Sequence, residues 1–148
     1  NNILIDGMSF IEKLSFNAFN EGTRLEHCVK LAEKLFGEKI TKLGGDCSYS
    51  GNDNRSLCSE RGIVTSFAQK GKNREASTSV SMVKKGLARV RATAMEGSFG
   101  TQKEHYGLKR INGRIKKTEV LIIFFGIHTA NAVQLARRIA KAELSRAA

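Results

Sequence analysis

Residues 94–103 read Ala-Met-Glu-Gly-Ser-Phe-Gly-Thr-Gln-Lys, and this run determines how the rest of the sequence is interpreted. Glu96 precedes Lys103 by seven residues. That spacing is about two turns of an α-helix, so both side chains would share one helix face. A carboxylate can hold a metal ion and an ammonium group can hold a phosphate. The pattern is typical of a nuclease or strand-transferring enzyme that acts on DNA.

Positive charge is distributed unevenly along the chain, whose 148 residues carry a formal net charge of +11. Residues 1–60 hold seven Lys/Arg and nine Asp/Glu, whereas residues 61–148 hold eighteen and five. Such asymmetry favours a basic face for a polyanion. A basic surface that is simply solvated is the alternative.

The spacing of the cysteines limits the kinds of stabilising site that the chain can contain. Cys28, Cys47 and Cys58 show no CxxC spacing, which favours a reducing compartment and argues against a disulfide framework or a zinc site.

The longest apolar stretch, residues 120–127, is far short of the roughly 20 residues that a membrane helix needs. We therefore expect no membrane partner. The apolar pattern already runs at residue 3, which indicates a fragment whose true start lies upstream.

The local patterns predict alternating strands and helices. Asp6-Gly7 between two apolar runs predicts a hairpin, and the Thr23-to-Glu26 pattern predicts a capping box. The predicted helices are 25–36 (stopped by Gly37), 52–60, 78–106 and 118–143, and the predicted strands are 40–43 and 63–67. Residues 120–125 are β-branched and aromatic, so a buried strand is the alternative there. This order fits a ribonuclease-H-like fold that lacks its first strand.

Two acids stand out within that order. Asp46 follows a predicted strand, where an open sheet presents ligands, although a helix cap or turn is the alternative role. Glu96 lies beside Gly97 and Gly100, each of which costs a helix on the order of 1 kcal/mol. The alternatives are a surface glutamate on a loose helix and, for Lys103, a solvated lysine. Carboxylates suit Mg²⁺, and two such ions can drive phosphodiester cleavage.

Several segments carry a resemblance to a known protein family. They are residues 19–25, then Gly45-Asp46, Tyr49, Asn54-Arg55 and residues 60–63, then the run Met95 to Leu108, and finally residues 125–133. Together these segments resemble the middle and the C-terminal catalytic signature of a bacterial insertion-sequence DDE transposase.

The resemblance implies an α/β fold: a ribonuclease-H-like core, truncated at its N-terminus, with a mixed sheet flanked by helices. Residues 1–148 would form a single partial catalytic domain. An Asp-Asp-Glu triad would hold two Mg²⁺ (or Mn²⁺), nick transposon ends and join them to target DNA. Carried over by position, Asp46 is the second catalytic acid and metal ligand, Glu96 is the third, and Lys103 contacts the terminal DNA.

The implied partners are DNA, as transposon ends and target, and a homodimer is an arrangement that the family allows. Further DNA contacts are expected from Arg91, Lys70, Lys72, Lys109 and Arg110. The implied location is the bacterial cytoplasm, at the nucleoid. Because the first acid is missing, we expect the fragment alone to be inactive. The alternatives are a non-catalytic DNA-binding remnant of a transposase and, more distantly, a ribosome-associated basic protein.

Overall fold

The computed structural model describes residues 1–68, 70 and 78–147 of the chain. The predicted DNA contact Lys72 and most of the basic run around it lie outside the described residues. The chain divides into two compact units, which are considered separately below. The first comprises Asn1–Ile3 and Ile11–Thr93, and the second comprises Leu4–Phe10 and Ala94–Ala148.

The expected α/β ribonuclease-H-like core, with a mixed sheet flanked by helices, is wrong. The protein is mostly helical, and the strands of the described residues form only two small two-stranded sheets. These strands are β1 (Asn2–Ile5), β2 (Met8–Ile11), β3 (Lys42–Leu43) and β4 (Val64–Thr65). The two predicted inner strands shrink to two residues each, paired in parallel. The β-branched run at 120–125, which could have extended a sheet, is helical.

Five α-helices supply most of the described structure. They are α1 (Leu25–Phe36), α2 (Asn52–Glu60), α3 (Thr78–Val90), α4 (Glu96–His105) and α5 (Lys116–Ala147). Two 3₁₀ turns, Glu21–Arg24 and Cys47–Tyr49, and a π-helical turn, Arg91–Met95, complete the set. The predicted helices at 25–36 and 52–60 are confirmed. The strand alternative for the start of the last helix is wrong.

The hairpin predicted from Asp6-Gly7 is confirmed. Asp6 and Gly7 both adopt positive φ, 49° and 75°. Positive φ at both central residues is the requirement of the two-residue turn whose twist matches that of paired strands. Arg138 on α5 ion-pairs with the Asp6 carboxylate and donates to its backbone carbonyl. Arg138 thereby lowers the pKa of Asp6 and holds the turn.

Helix α1 ends as predicted but begins differently. Gly37 takes φ 70° and donates its N–H to the Glu33 carbonyl, which closes the helix. The predicted capping box is wrong, because a 3₁₀ turn precedes the helix and its cap is Asn20, whose side chain accepts from the Gly22 N–H at 2.9 Å. Glu26 pairs with Lys30 one turn along α1 instead.

The core of the first unit is small and apolar. It is built from residues of α1, α2 and the chain around β4: Leu25, Val29, Cys58, Ile63 and Phe67. Cys28 and Cys58 are free thiols in or beside this core. Burial raises the pKa of both thiols, which makes them poor nucleophiles.

A single helix was predicted over residues 78–106, and α3, the π turn and α4 follow one another without interruption from Thr78 to His105. The sequence pattern did not reveal the π turn. The division between the two units falls inside it, between Thr93 and Ala94. The turn therefore ends the first unit and leads directly to Glu96.

The last helix, α5, belongs to the second unit. Its Gly126 is buried, and a Cβ added there would lie 2.7 Å from the Tyr106 carbonyl oxygen. The close approach of the preceding chain therefore requires glycine at this position. The segment Lys116–Arg146 is long and apolar enough, by length and composition alone, to cross a membrane, with a mean hydropathy of 1.4 over its best window. Core helices of soluble proteins, which are mostly buried, also meet that criterion, whereas 11% of this window is buried.

Candidate nucleic-acid interface

Helix α4 has two faces of opposite character. Ser98 and Gln102, one turn apart, lie on its inward face, and Gln102 is only 5% exposed. Glu96, Gly100 and Lys103, also spaced by three and four residues, lie on the opposite face, and all three are exposed. The sequence prediction that Glu96 and Lys103 share a face is therefore confirmed.

The inward face is fixed by a buried polar network with Ser9 of β2, which is 1% exposed. The Gln102 amide nitrogen Nε2 donates to Ser9 Oγ at 2.7 Å and to Ser98 Oγ at 3.1 Å. Buried polar groups are tolerated when they are hydrogen-bonded and costly when they are not. This network therefore fixes the rotation of α4 about its own axis.

Asn131 of α5 completes the network by pairing with the backbone of β2. Its Oδ1 accepts from the Ser9 N–H at 2.8 Å, and its Nδ2 donates to the Ser9 carbonyl at 2.7 Å. The amide side chain thus takes the place of a neighbouring strand at the outer edge of the hairpin. β2, α4 and α5 are joined at one residue, Ser9.

The outward face of α4 is open to solvent. A Cβ added at Gly97 or at Gly100 would meet no heavy atom of the described chain within 4 Å. Packing against the described residues therefore does not account for either glycine. Gly100 leaves bare backbone between Glu96 and Lys103, and a bulky ligand can approach the helix closely there.

The Glu96 carboxylate makes no hydrogen bond or ion pair with the part of the chain that the structure describes. It lies directly after the π turn Arg91–Met95. Such turns are rare within helices and are frequent at functional sites. Glu96 is thus an exposed acid at the first residue of α4, directly after the π turn.

Asp46 has a clear structural role in the first unit. Its Oδ1 accepts from the Ser48 N–H at 2.7 Å and from the Ser48 hydroxyl at 2.5 Å, and so caps the 3₁₀ turn Cys47–Tyr49. These Ser48 hydrogen bonds, helped by the positive charge of Arg91, lower the pKa of Asp46. The cap alternative for Asp46 is therefore confirmed.

A shared metal site on Asp46 and Glu96 stays a prediction. The two acids belong to different units. Among residues 1–68, 70 and 78–147, no three His, Cys, Asp or Glu side chains cluster as a metal site would require. The described residues do not present a Mg²⁺ or Mn²⁺ ligand set of their own.

The other predicted DNA contacts differ in their surroundings. Lys103 and Arg110 are exposed, and Lys109 is exposed with an ion pair to Glu104 at 2.9 Å. Lys70 donates to Asn52 Oδ1 at 2.8 Å. Arg91 is half-buried, near the Gly44 backbone. Lys103, Lys109 and Arg110 in the second unit thus present free or weakly engaged charges.

Sequence reasoning missed the residues that orient this surface: Ser9, Ser98, Gln102 and Asn131. Two signals pointed to them. Ser98 and Gln102 are polar residues at i and i+4 within the very run that was analysed, and Asn131 interrupts an apolar stretch of α5. A polar amide within an apolar stripe requires a buried partner.

Comparisons with known proteins found no family model, no curated protein and no solved structure that matches this chain. The transposase resemblance therefore still rests on the sequence motifs alone.

Ser48→Ala should raise the pKa of Asp46 toward its ordinary value of 3.8, because the variant removes the hydroxyl donor. In the folded wild type this pKa lies below 3.8, so its stabilising contribution is complete above 3.8 and is lost as pH falls through the lowered pKa. Carboxyl-carbon NMR titration measures the shift. Ser56→Ala, an exposed serine of α2, is the control and should leave the pKa of Asp46 unchanged. An unaltered Asp46 titration in Ser48→Ala would contradict the capping role.

Proposed function

We propose that this chain is part of a DDE transposase and that it binds DNA through a basic surface of its second unit. The observation that carries the DNA-binding proposal is the segment 109–117, Lys-Arg-Ile-Asn-Gly-Arg-Ile-Lys-Lys, here called the basic segment. It has five cationic residues and no acidic one. It connects α4 to α5.

All five cationic side chains of the basic segment are exposed: Lys109, Arg110, Arg114, Lys116 and Lys117. Mutual repulsion makes such a cluster unfavourable unless a polyanion or counterions neutralise it. The end of the segment also forms the first turn of α5.

The chemistry of this surface suits the DNA backbone more than the base edges. Lysine and arginine charges bind phosphates and release condensed counterions, and this release supplies most of non-specific affinity. Lys103 on the outward face of α4 adds a further exposed cation in the same unit. We therefore expect binding that depends weakly on sequence and steeply on salt.

The triple variant Arg110→Ala, Arg114→Ala, Lys117→Ala tests this proposal. If these three side chains contact phosphates, the slope of log K against log salt should become shallower by about 2.7 for duplex DNA, and affinity near 0.1 M salt should fall at least about tenfold. Fluorescence anisotropy with a labelled duplex, over a series of salt concentrations, measures both quantities.

The matched control is Lys34→Ala, Lys39→Ala, Lys42→Ala, which removes the same charge from exposed positions in the first unit. It should change the salt slope far less. Equal losses in the two triple variants would mean that only net charge matters, and the basic segment would not be the binding surface.

DNA strand transfer is a second candidate function, and the geometry around Glu96 favours it. The acid is exposed, follows a π turn, and shares its face with Lys103 across the bare backbone of Gly100. Such a face lets a phosphodiester approach both a carboxylate and an ammonium group. Cleavage would require further acids to complete a metal site.

Glu96→Gln in the full-length protein should abolish Mg²⁺-dependent strand cleavage and leave DNA binding within about twofold of wild type, because the change removes charge but not shape. Glu104→Gln, an exposed acid two turns along the same helix, should retain cleavage. A gel assay on end-labelled transposon DNA measures product. Cleavage by Glu96→Gln at the wild-type rate would remove Glu96 from the catalytic role.

A further inference from the structure

We infer that the cleft between α4 and α5 binds a nucleotide, taken up either free or as one unit of a strand. The cleft lies wholly within the second unit and has a volume of about 280 Å³. That volume is just below the range typical of drug-sized ligands, so the cleft suits one compact ligand. The inference does not rest on the proposed DNA binding, because the basic segment is not part of the cleft lining.

Contacts on each side of the cleft show that α4 and α5 run antiparallel along it. The carbonyl oxygen of Tyr106, the residue that follows α4, lies beside Gly126 of α5. Gln102, one turn earlier on α4, and Asn131, further along α5, both bond Ser9. A step back along α4 therefore corresponds to a step forward along α5. The start of α4 thus lies beside the second half of α5.

The end of the cleft near the start of α4 is cationic. Arg137 lines it, is exposed, and forms no ion pair or hydrogen bond with the residues that the structure describes. Its neighbour Arg138, by contrast, is paired with Asp6. No acidic side chain of the described chain lines the cleft. An unpaired guanidinium in such surroundings favours an anion, and its planar fork matches two phosphate oxygens.

The middle of the cleft offers amide groups that the protein does not fully use. Gln102 is 5% exposed and donates through Nε2 to two serine hydroxyls, but its Oε1 accepts no hydrogen bond from the described residues. This oxygen is not one of the fully enclosed polar atoms, so a donor in the cleft can reach it. Asn131 keeps one N–H of its Nδ2 after bonding Ser9. The two amides together offer an acceptor and a donor, which suits the edge of a base.

The opposite end of the cleft is aromatic. Tyr106, which is half-buried, lines it. A base that stacks on an aromatic side chain gains affinity that depends little on which base it is. Gly97 at the cationic end and Tyr106 are nine residues apart, roughly 14 Å along the helix. A ligand with a phosphate at one end and a planar ring at the other fits this layout, whereas inorganic phosphate would occupy only the Arg137 end.

Isothermal titration calorimetry of the full chain with dAMP, at up to about 5 mM ligand, tests the inference. Deoxyadenosine and inorganic phosphate, which each carry half of the ligand, should bind at least about tenfold more weakly than dAMP. Arg137→Ala should weaken dAMP binding at least about tenfold, because charge-assisted hydrogen bonds are lost. Tyr106→Leu should weaken it at least about fivefold through lost stacking.

The matched control is Arg146→Ala, which removes the same charge from an exposed position of α5 outside the cleft and should leave dAMP affinity unchanged. Side-chain amide NMR signals of Gln102 and Asn131 should shift when dAMP is added, which places the ligand in the cleft. The triple variant of the basic segment should bind dAMP like the wild type, so that this inference and the DNA-binding proposal can fail separately.

A single-stranded oligonucleotide of about ten deoxyadenosines distinguishes the two sources of the nucleotide. If the cleft takes one unit of a strand, Arg137→Ala weakens binding of the oligonucleotide; if it takes a free nucleotide, only dAMP binding is weakened. Binding of both ligands that is independent of Arg137 would overturn the inference. So would inorganic phosphate that binds as tightly as dAMP, or an equal loss of dAMP affinity in Arg146→Ala.

Discussion

One amide side chain supports the architecture of the second unit. A two-stranded hairpin leaves one backbone edge of each strand without a partner, and an unpaired backbone group costs about 1–3 kcal/mol when it is buried. Ser9 of β2 is 1% exposed, so both of its backbone groups need partners. Asn131 supplies a donor and an acceptor in one planar group and satisfies both. The hairpin can therefore lie against α5 instead of joining a larger sheet.

The orientation of the helices follows from this pairing. Because Gln102 and Ser98 bond the Ser9 hydroxyl side of the hairpin, α4 can turn only its other face to water. That face carries Glu96, Gly100 and Lys103. Likewise, α5 directs Asn131 toward the backbone of Ser9. The buried network around Ser9 thus determines which face of α4 is exposed.

Local features were predictable from sequence because they depend on near neighbours. Asp6-Gly7 specifies its turn through the φ angles it tolerates, Gly37 ends α1 for the same reason, and the shared face of Glu96 and Lys103 follows from helical periodicity.

The order of the predicted elements, however, does not reveal how long each strand becomes. The two inner strands stop at two residues, and β-branched residues 120–125 form helix, since burial and partners determine β structure more than propensity does. The ribonuclease-H-like expectation failed at this point. The role of Asp46 as a cap was visible beforehand as an alternative, whereas the Ser9 network required contacts between residues some 90 to 120 positions apart, which no local pattern contains.

Amide hydrogen exchange at Ser9 tests the central claim most directly, because its N–H is bonded to the Asn131 side chain and not to a neighbouring strand. Residue-resolved exchange by NMR should find this amide strongly protected in the wild type. In Asn131→Ala its protection should fall by at least about tenfold, while amides of α1 in the other unit keep theirs. A Ser9 amide that already exchanges in the wild type like one exposed to water would contradict the account.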